Sequence, residues 1–231
     1  MKKYQHLFFD LDHTLWDTDA NNAQTVKDLL LELNQKHSLN LSFETFFPVY
    51  YAHNKKLWEM YHQGLTVKDE LRWKRFYLSL TDFGIDDKKM AEWMGEEFVV
   101  HSPKKTQLIQ HSLELLSHLQ GKYNMHIITN GFEEVQHIKM EVSGLKPYFD
   151  LIVTSEAAGA LKPHAQIFDF ALQNAKSNKQ NSLMIGDSFQ ADILGAKNAG
   201  IDQVFYNPKS EKVDEKPTFE IKSLMELVEI L

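Results

Sequence analysis

Five short apolar runs constrain the fold of this chain more than any other feature of its sequence. Each is four or five residues long and rich in β-branched or aromatic side chains, and most do not alternate with polar residues. Such runs are typical of strands buried on both faces, as in a parallel sheet. The five predicted strands are His6–Phe9, Met125–Thr129, Leu151–Thr154, Ser182–Ile185 and Gln203–Tyr206.

Helical patterns separate the last four runs. The predicted helices cover residues 131–144, 163–175 and 188–200. In the first of them, Val135, Ile138 and Val142 are expected to form the buried face. Alternation of strands and helices predicts βαβ units, and therefore an α/β fold around a parallel sheet.

The stretch after the first strand has a different character. More than a hundred residues separate the first strand from the second, and residues 19–97 hold no run that favours a strand. Aromatic residues are frequent there, in helical patterns that are interrupted at residues 46–48, 62–64 and 82–87. We therefore predict a helical domain, residues 19–97, inserted into an α/β core domain made of residues 1–18 and 98–231. A helix over residues 103–119 is expected to lead back to the second strand.

Composition narrows the class of protein. The 231 residues, 43% of them hydrophobic, are enough for one domain carrying a smaller one, and the net charge of -7 gives no support for binding a nucleic-acid polymer. Because the chain has no cysteine, disulfides and thiolate metal sites are excluded. The N-terminal apolar run is too short for a signal peptide, and no stretch approaches the roughly 20 apolar residues of a membrane span. We expect a cytoplasmic protein without a membrane partner.

Polar side chains follow four of the predicted strands. They are Asp10 and Asp12 after the first, Thr129 and Asn130 at the end of the second, Lys162 after the third, and Asp187 and Asp192 after the fourth. In open parallel sheets, ligands bind outside the carboxyl ends of the strands. These residues are therefore expected to meet at one edge of the sheet.

The residue types at this edge suit phosphoryl transfer. Clustered carboxylates raise one another's pKa unless a cation is present, and oxygen ligands suit Mg²⁺. The hydroxyl of Thr129 and the amides of Asn130 and Gly131 are candidate donors to an anion, and Lys162 supplies a compact positive charge. One carboxylate can act as nucleophile through an aspartyl-phosphate, while another acts as general acid and base.

Each of these features alone is commonly structural. Aspartates after strands often cap helices or begin turns, and a lone threonine or lysine in a loop usually has no chemical role. The occurrence of the whole set at four successive strand ends favours the functional interpretation.

Four motifs resemble those of the haloacid dehalogenase-like superfamily, and specifically its phosphatases. They are "FFDLDHT" (residues 8–14), "IITN" (127–130), "KPHAQIF" (162–168) and "IGDSFQAD" (185–192). The resemblance covers essentially the whole chain. It implies a Rossmann-like core with the strand order 5-4-1-2-3 and an inserted α-helical cap domain.

The resemblance also implies a role for each residue. Asp10 matches the nucleophile, and Asp12 matches the general acid and base. The metal ligands for Mg²⁺ are expected to be Asp10, Asp187 and the backbone carbonyl of Asp12, with Asp192 behind them or bound through water. The expected phosphate-binding residues are Thr129, Asn130 and Lys162.

Within the superfamily, the chain resembles in particular bacterial nucleotidases that act on pyrimidine or modified nucleoside 5'-monophosphates. The stretches that carry this likeness are residues 54–64, 128–132, 155–172 and 191–200. We expect a Mg²⁺-dependent phosphomonoesterase, a 5'-nucleotidase, whose partner is a small nucleoside monophosphate. A sugar or small-metabolite phosphatase is the first alternative. A 2-haloacid dehalogenase is disfavoured, because those enzymes lack a carboxylate at the position of Asp12. A receiver-type signalling module and a catalytically silent binding relative are the remaining alternatives.

Overall fold

The computed structural model describes residues 3–231, which form two compact units. Of these residues, the first unit contains 3–18 together with Thr106–Leu231, and the second contains Asp19–Lys105. The predicted insert, residues 19–97, ends within a helix that runs from Lys88 to His101. Because this helix and the short 3-10 helix that follows it belong to one compact unit, the second unit extends to residue 105, not 97.

The first unit is built on a six-stranded parallel sheet. Its strands are β1 (His6–Phe9), β2 (Asn124–Thr129), β3 (Leu151–Thr154), β4 (Ser182–Gly186), β5 (Asp202–Tyr206) and β6 (Phe219–Ile221). The spatial order is β3-β2-β1-β4-β5-β6, and every adjacent pair is parallel. The predicted order 5-4-1-2-3 is confirmed, and β6 adds a strand beyond β5 that was not predicted.

The register of the sheet aligns the strand ends that carry the polar residues. Phe9 pairs with Ile127 of β2 and with Ile185 of β4. Thr129 and Asp187 each lie two residues beyond these partners, and Asp10 lies one residue beyond Phe9. Their side chains therefore meet at the carboxyl edge of the sheet.

Alternate residues of the strands enter two apolar cores on the two faces of the sheet. One core contains Leu7, Phe9, Met125, Ile127, Leu183, Ile185 and Val204. The other contains Phe8, Ile128, Val153, Met184, Ile167, Phe168 and Ala171. Because both faces are covered, the strands read as continuous apolar runs in the sequence.

The helices of this unit are shorter than predicted. Numbered after the four helices of the other unit, they are α5 (Ser112–Leu119), α6 (Glu133–Val142), α7 (Ser155–Ala158), α8 (Ala165–Asn174), α9 (Gly195–Asn198) and α10 (Leu227–Ile230). A π-helical turn, Phe189–Leu194, precedes α9. The helix predicted from residue 103 begins only at Ser112, after His111 in a left-handed conformation (φ 70°).

Four α-helices form most of the second unit: α1 (Thr18–His37), whose first residue belongs to the first unit, α2 (Phe43–His62), α3 (Lys68–Asp82) and α4 (Lys88–His101). Its apolar core combines aliphatic side chains with aromatic ones, of which Phe46, Tyr50 and Phe76 are fully buried. The interruption predicted at residues 46–48 is wrong, because Pro48 lies inside α2; the actual interruption follows Ser38 (φ 53°) and ends at the N-cap Ser42. None of the helices formed by residues 3–231 is both long and apolar enough to cross a membrane.

Candidate active site

Lys162 lies at the centre of the candidate site. Its Nζ lies 2.6 Å from Oδ1 of Asp10, 2.7 Å from Oδ1 of Asp192 and 2.8 Å from the carbonyl oxygen of Ile128. The side chain is 3% exposed, so the ammonium has exchanged water for these three acceptors. The Asp10 and Asp192 carboxylates raise the pKa of Lys162 against the opposing effect of burial, which keeps the lysine charged.

Three carboxylates converge beside this lysine. One oxygen from each of Asp10, Asp187 and Asp192 lies within 4.8 Å of the other two. Burial raises the pKa of Asp10 against the ammonium of Lys162, and Asp192 and Asp12 raise it further. Burial also raises the pKa of Asp187 well above its ordinary value, and so do Asp10 and Asp192. One lysine therefore does not compensate the negative charge of the cluster.

This donor set fits a divalent cation. All three groups are hard oxygen ligands from converging loops, which suits Mg²⁺ better than a soft metal. Raised carboxyl pKa values mark a place where added positive charge is favourable. The Asp12 carboxylate is not a member of this cluster, so any contribution of Asp12 to the metal would come from its backbone.

Neighbouring groups fix two of these carboxylates. Thr14 Oγ1 donates to Oδ1 of Asp187 at 3.2 Å and accepts from the Asp187 backbone N–H at 3.1 Å. The Ser188 backbone N–H donates to Oδ2 of Asp192 at 3.0 Å. Thr14 thus connects the loop after β1 to Asp187, and the Ser188 N–H holds Asp192 from within the loop after β4.

Asp12 is bound by a different set of groups. Lys139 Nζ lies 2.6 Å from its Oδ1, Thr18 Oγ1 donates to the same oxygen at 2.9 Å, and Gln136 Nε2 donates to Oδ2 at 2.7 Å. Burial raises the pKa of Asp12, but the Lys139 ammonium and the hydrogen bonds from Lys139 and Gln136 outweigh burial and lower it to about 2. In this arrangement Asp12 is ionised at neutral pH.

The hydroxyl of Thr129 is oriented by its two donors. The Gly131 backbone N–H donates to Oγ1 at 3.0 Å, and Gln136 Nε2 donates to it at 2.6 Å. A hydroxyl that accepts twice still has its own hydrogen to donate. Because the Gly131 N–H donates to Thr129, it is not free to donate to an anion, although the sequence had suggested that role.

Asn130 organises the loop that contains Lys162. Its Oδ1 accepts from the Lys162 backbone N–H at 2.7 Å, and its Nδ2 donates to the Lys162 carbonyl oxygen at 3.0 Å. These two hydrogen bonds connect the ends of β2 and the loop after β3. The Asn130 side chain therefore positions Lys162, so any hydrogen bond from Asn130 to an anion would come from its backbone N–H.

Helix α6 contributes two site residues that the sequence did not reveal. The predicted apolar face is wrong, because Ile138 is 40% exposed and Val142 is 43% exposed, whereas Gln136 and Lys139 are buried. Gln136 and Lys139 are three positions apart and so lie on one face of the helix. A polar pair at helical spacing directly after the second motif was the only signal in the sequence.

Comparison with known proteins agrees with the family that the four motifs resemble. Residues 7–206 match the family described as haloacid dehalogenase-like hydrolase. The pyrimidine 5'-nucleotidase YjjG of Escherichia coli is 32% identical over 99% of this chain and 98% of its own length. The pyrimidine 5'-nucleotidase PynA of Streptococcus pneumoniae is 32% identical over 99% of this chain and 95% of its own length. The magnesium-bound crystal structure of the HAD-hydrolase YfnB from Bacillus subtilis has a TM-score of 0.88 at 31% identity, with 99% of each chain covered.

Proposed function

Since the chain belongs to the haloacid dehalogenase-like hydrolases and is a phosphoric monoester hydrolase, we propose that it hydrolyses nucleoside 5'-monophosphates through an aspartyl-phosphate on Asp10. The observation that carries this proposal is the environment of Asp10. Lys162 binds its Oδ1, which fixes the carboxylate and leaves Oδ2 available for attack on phosphorus. The family resemblance and the two related pyrimidine 5'-nucleotidases support the choice of substrate.

In the first step, Oδ2 of Asp10 forms a bond to phosphorus and the bond from phosphorus to the 5'-oxygen breaks. The electron pair of the broken bond goes to the nucleoside oxygen, which takes a proton from Asp12. Because Lys139 holds Asp12 ionised in the free enzyme, Asp12 must take up a proton before this step. Thr129 Oγ1 and the backbone N–H of Asn130 donate to the phosphoryl oxygens.

In the second step, water attacks phosphorus and gives one proton to the Asp12 carboxylate. The bond between phosphorus and Oδ2 of Asp10 breaks, and its electron pair restores the Asp10 carboxylate. The ionised Asp12 described above is already in the form that this step needs. Lys162 remains paired with Asp10 through both steps and offsets the negative charge there.

The proposed ligands of Mg²⁺ are Asp10, Asp187 and the backbone carbonyl of Asp12. The Asp192 carboxylate belongs to the same cluster as those of Asp10 and Asp187, and so lies near the proposed ion. When bound, Mg²⁺ would supply Lewis-acid stabilisation of the phosphoryl oxygens and compensate the clustered carboxylates.

A phosphate-release screen with Mg²⁺ tests this proposal. It compares pyrimidine and purine nucleoside 5'-monophosphates, modified nucleotides, sugar phosphates and p-nitrophenyl phosphate. We expect the pyrimidine nucleotides to have the highest kcat/KM. A clear preference for sugar phosphates would replace the substrate assignment and leave the chemistry unchanged.

The Asp10→Asn variant tests the mechanism. We expect its turnover to fall by about 10⁴-fold or more, with an unchanged circular dichroism spectrum, because the amide is a poor nucleophile. Near-normal turnover of this variant would refute the aspartyl-phosphate mechanism. Phosphorylation of the wild type once per chain without release of phosphate would instead favour a receiver-type module.

A further inference from the structure

Helix α6 turns its polar side toward the protein and part of its apolar side toward solvent. Gln136 is fully buried and Lys139 is 7% exposed, while Ile138 and Val142 lie on the outside. Burying an ammonium is costly unless the charge is paired. This orientation of α6 brings a cation and an amide to the candidate site at the expense of apolar burial.

Both buried polar side chains of α6 end on Asp12. Lys139 Nζ contacts Oδ1 at 2.6 Å and Gln136 Nε2 contacts Oδ2 at 2.7 Å, so each carboxylate oxygen has a donor from the same helix. The ammonium of Lys139 also lies 4.1 Å from the ring centroid of Trp16, which is fully buried. The indole limits the positions that the lysine can occupy.

We propose that Lys139 is a positioning residue, which together with Gln136 fixes the orientation of the Asp12 carboxylate for proton transfer. This inference rests on the proposed function. Within the described residues 3–231, the carboxylate paired with the Lys139 ammonium is that of Asp12, whereas Asp10 and Asp192 are paired with Lys162, so Lys139 acts on the reaction through Asp12. Its role therefore differs from that of Lys162, which binds the nucleophile.

The two reaction steps respond differently to the loss of Lys139. A good leaving group such as p-nitrophenolate needs little protonation, so formation of the aspartyl-phosphate from p-nitrophenyl phosphate depends weakly on Asp12. Hydrolysis of the aspartyl-phosphate needs a base to take the proton of water, whichever substrate was used. With p-nitrophenyl phosphate, a misplaced Asp12 therefore slows hydrolysis of the aspartyl-phosphate more than it slows its formation.

Rapid-quench kinetics of the Mg²⁺-loaded Lys139→Met variant with p-nitrophenyl phosphate test this. We expect kcat to fall by about 10- to 100-fold, the range for partial loss of general acid–base catalysis, and KM to change by less than about twofold. We also expect a burst of p-nitrophenol close to one per enzyme, because aspartyl-phosphate accumulates. Lys139→Arg should restore part of kcat. With a nucleotide, whose leaving group is poor, the variant should show no burst.

Two further variants keep the test decisive. Lys146→Met removes a lysine from an exposed ion pair with Glu141 and should leave kcat unchanged. Gln136→Met should lower kcat less than Lys139→Met does and should show the same burst. It replaces Lys139→Met in the test if that variant does not fold.

Equal loss of burst rate and kcat in the Lys139 and Gln136 variants would indicate a merely structural role and overturn the inference. An increase in KM alone would overturn it as well, as would unchanged kinetics. The proposed function fails independently, if the wild type releases no phosphate or if Asp10→Asn stays active.

Discussion

Gly186, the last residue of β4, provides the space in which the carboxylate of Asp192 lies. A β-carbon on Gly186 would overlap with Oδ2 of Asp192, whose side chain is fully buried. We expect Gly186→Ala to displace Asp192 from Lys162, to lower kcat at least about tenfold and to lower the free energy of unfolding by about 1–3 kcal/mol. Urea denaturation and steady-state kinetics measure the two effects.

A double-variant cycle checks the cause of this effect. If the overlap with Asp192 is responsible, Gly186→Ala should destabilise an Asp192→Ala background much less than the wild type. Equal destabilisation in both backgrounds would locate the strain elsewhere in β4.

Removal of the Lys162 ammonium should be costly for both stability and activity. In Lys162→Met, Asp10 and Asp192 lose their shared cation while they remain buried. We expect the metal-free protein to lose about 3–5 kcal/mol of unfolding free energy, as when one partner of a buried ion pair is removed. Calorimetry with Lys146→Met as control measures this, because that exposed pair should contribute less than about 1 kcal/mol. A similar loss in both variants would contradict the interpretation.

Asp187→Asn should separate metal binding from folding. Because the half-buried Asp187 lies near Asp10 and Asp192, replacing it with a neutral amide removes repulsion and should raise the melting temperature of the metal-free protein. Mg²⁺ should raise the melting temperature of the wild type, since a ligand of the folded state stabilises it, and this shift should be much smaller in the variant. Equal Mg²⁺ shifts in both proteins would exclude Asp187 as a ligand.

We expect acid stability to depend on a histidine pair in the sheet. His126 Nε2 lies 3.0 Å from His6 Nδ1, and burial, with a smaller contribution from His6, lowers the pKa of His126 to about 4. In the unfolded chain a histidine titrates near pH 6.5, so the unfolded state binds more protons between about pH 4 and pH 6.5. Stability is therefore fully present above about pH 6.5 and is lost as the pH falls toward about 4.

The His126→Phe variant should show a flatter dependence of melting temperature on pH over this range. The new ring would still pack against Phe8, which lies beside His126 in the wild type. His118→Asn, at an exposed histidine, is the control and should keep the wild-type slope. Identical slopes for all three proteins would show that the buried pair does not govern acid stability.

The sheet was predictable because burial on both faces leaves a direct trace in the sequence. Five apolar runs gave five strands, and the polar residues after them marked the carboxyl edge. The sequence did not predict β6, because this strand has only three residues and one of them, Glu220, is exposed. The helix interruption predicted around Pro48 is wrong, because proline usually interrupts a helix but here lies inside α2.

The site was predictable only as far as its motifs extend. The motifs located Asp10, Lys162 and the residues around them, but Gln136 and Lys139 lie on a helix whose hydrophobic periodicity indicated the opposite face. Periodicity reports where apolar side chains would be most favourably placed. It fails where a helix is oriented by polar contacts to a site.

The two hydrogen bonds donated by Gln136 limit how the site can evolve. The single amide nitrogen of this glutamine donates both to Asp12 and to Thr129, the proposed proton-transfer and phosphate-binding residues. A substitution that moves this nitrogen therefore changes both hydrogen bonds at once. Tuning of proton transfer and recognition of the phosphoryl group are therefore not independent traits in this enzyme, and variants selected for one should carry compensating changes in the other.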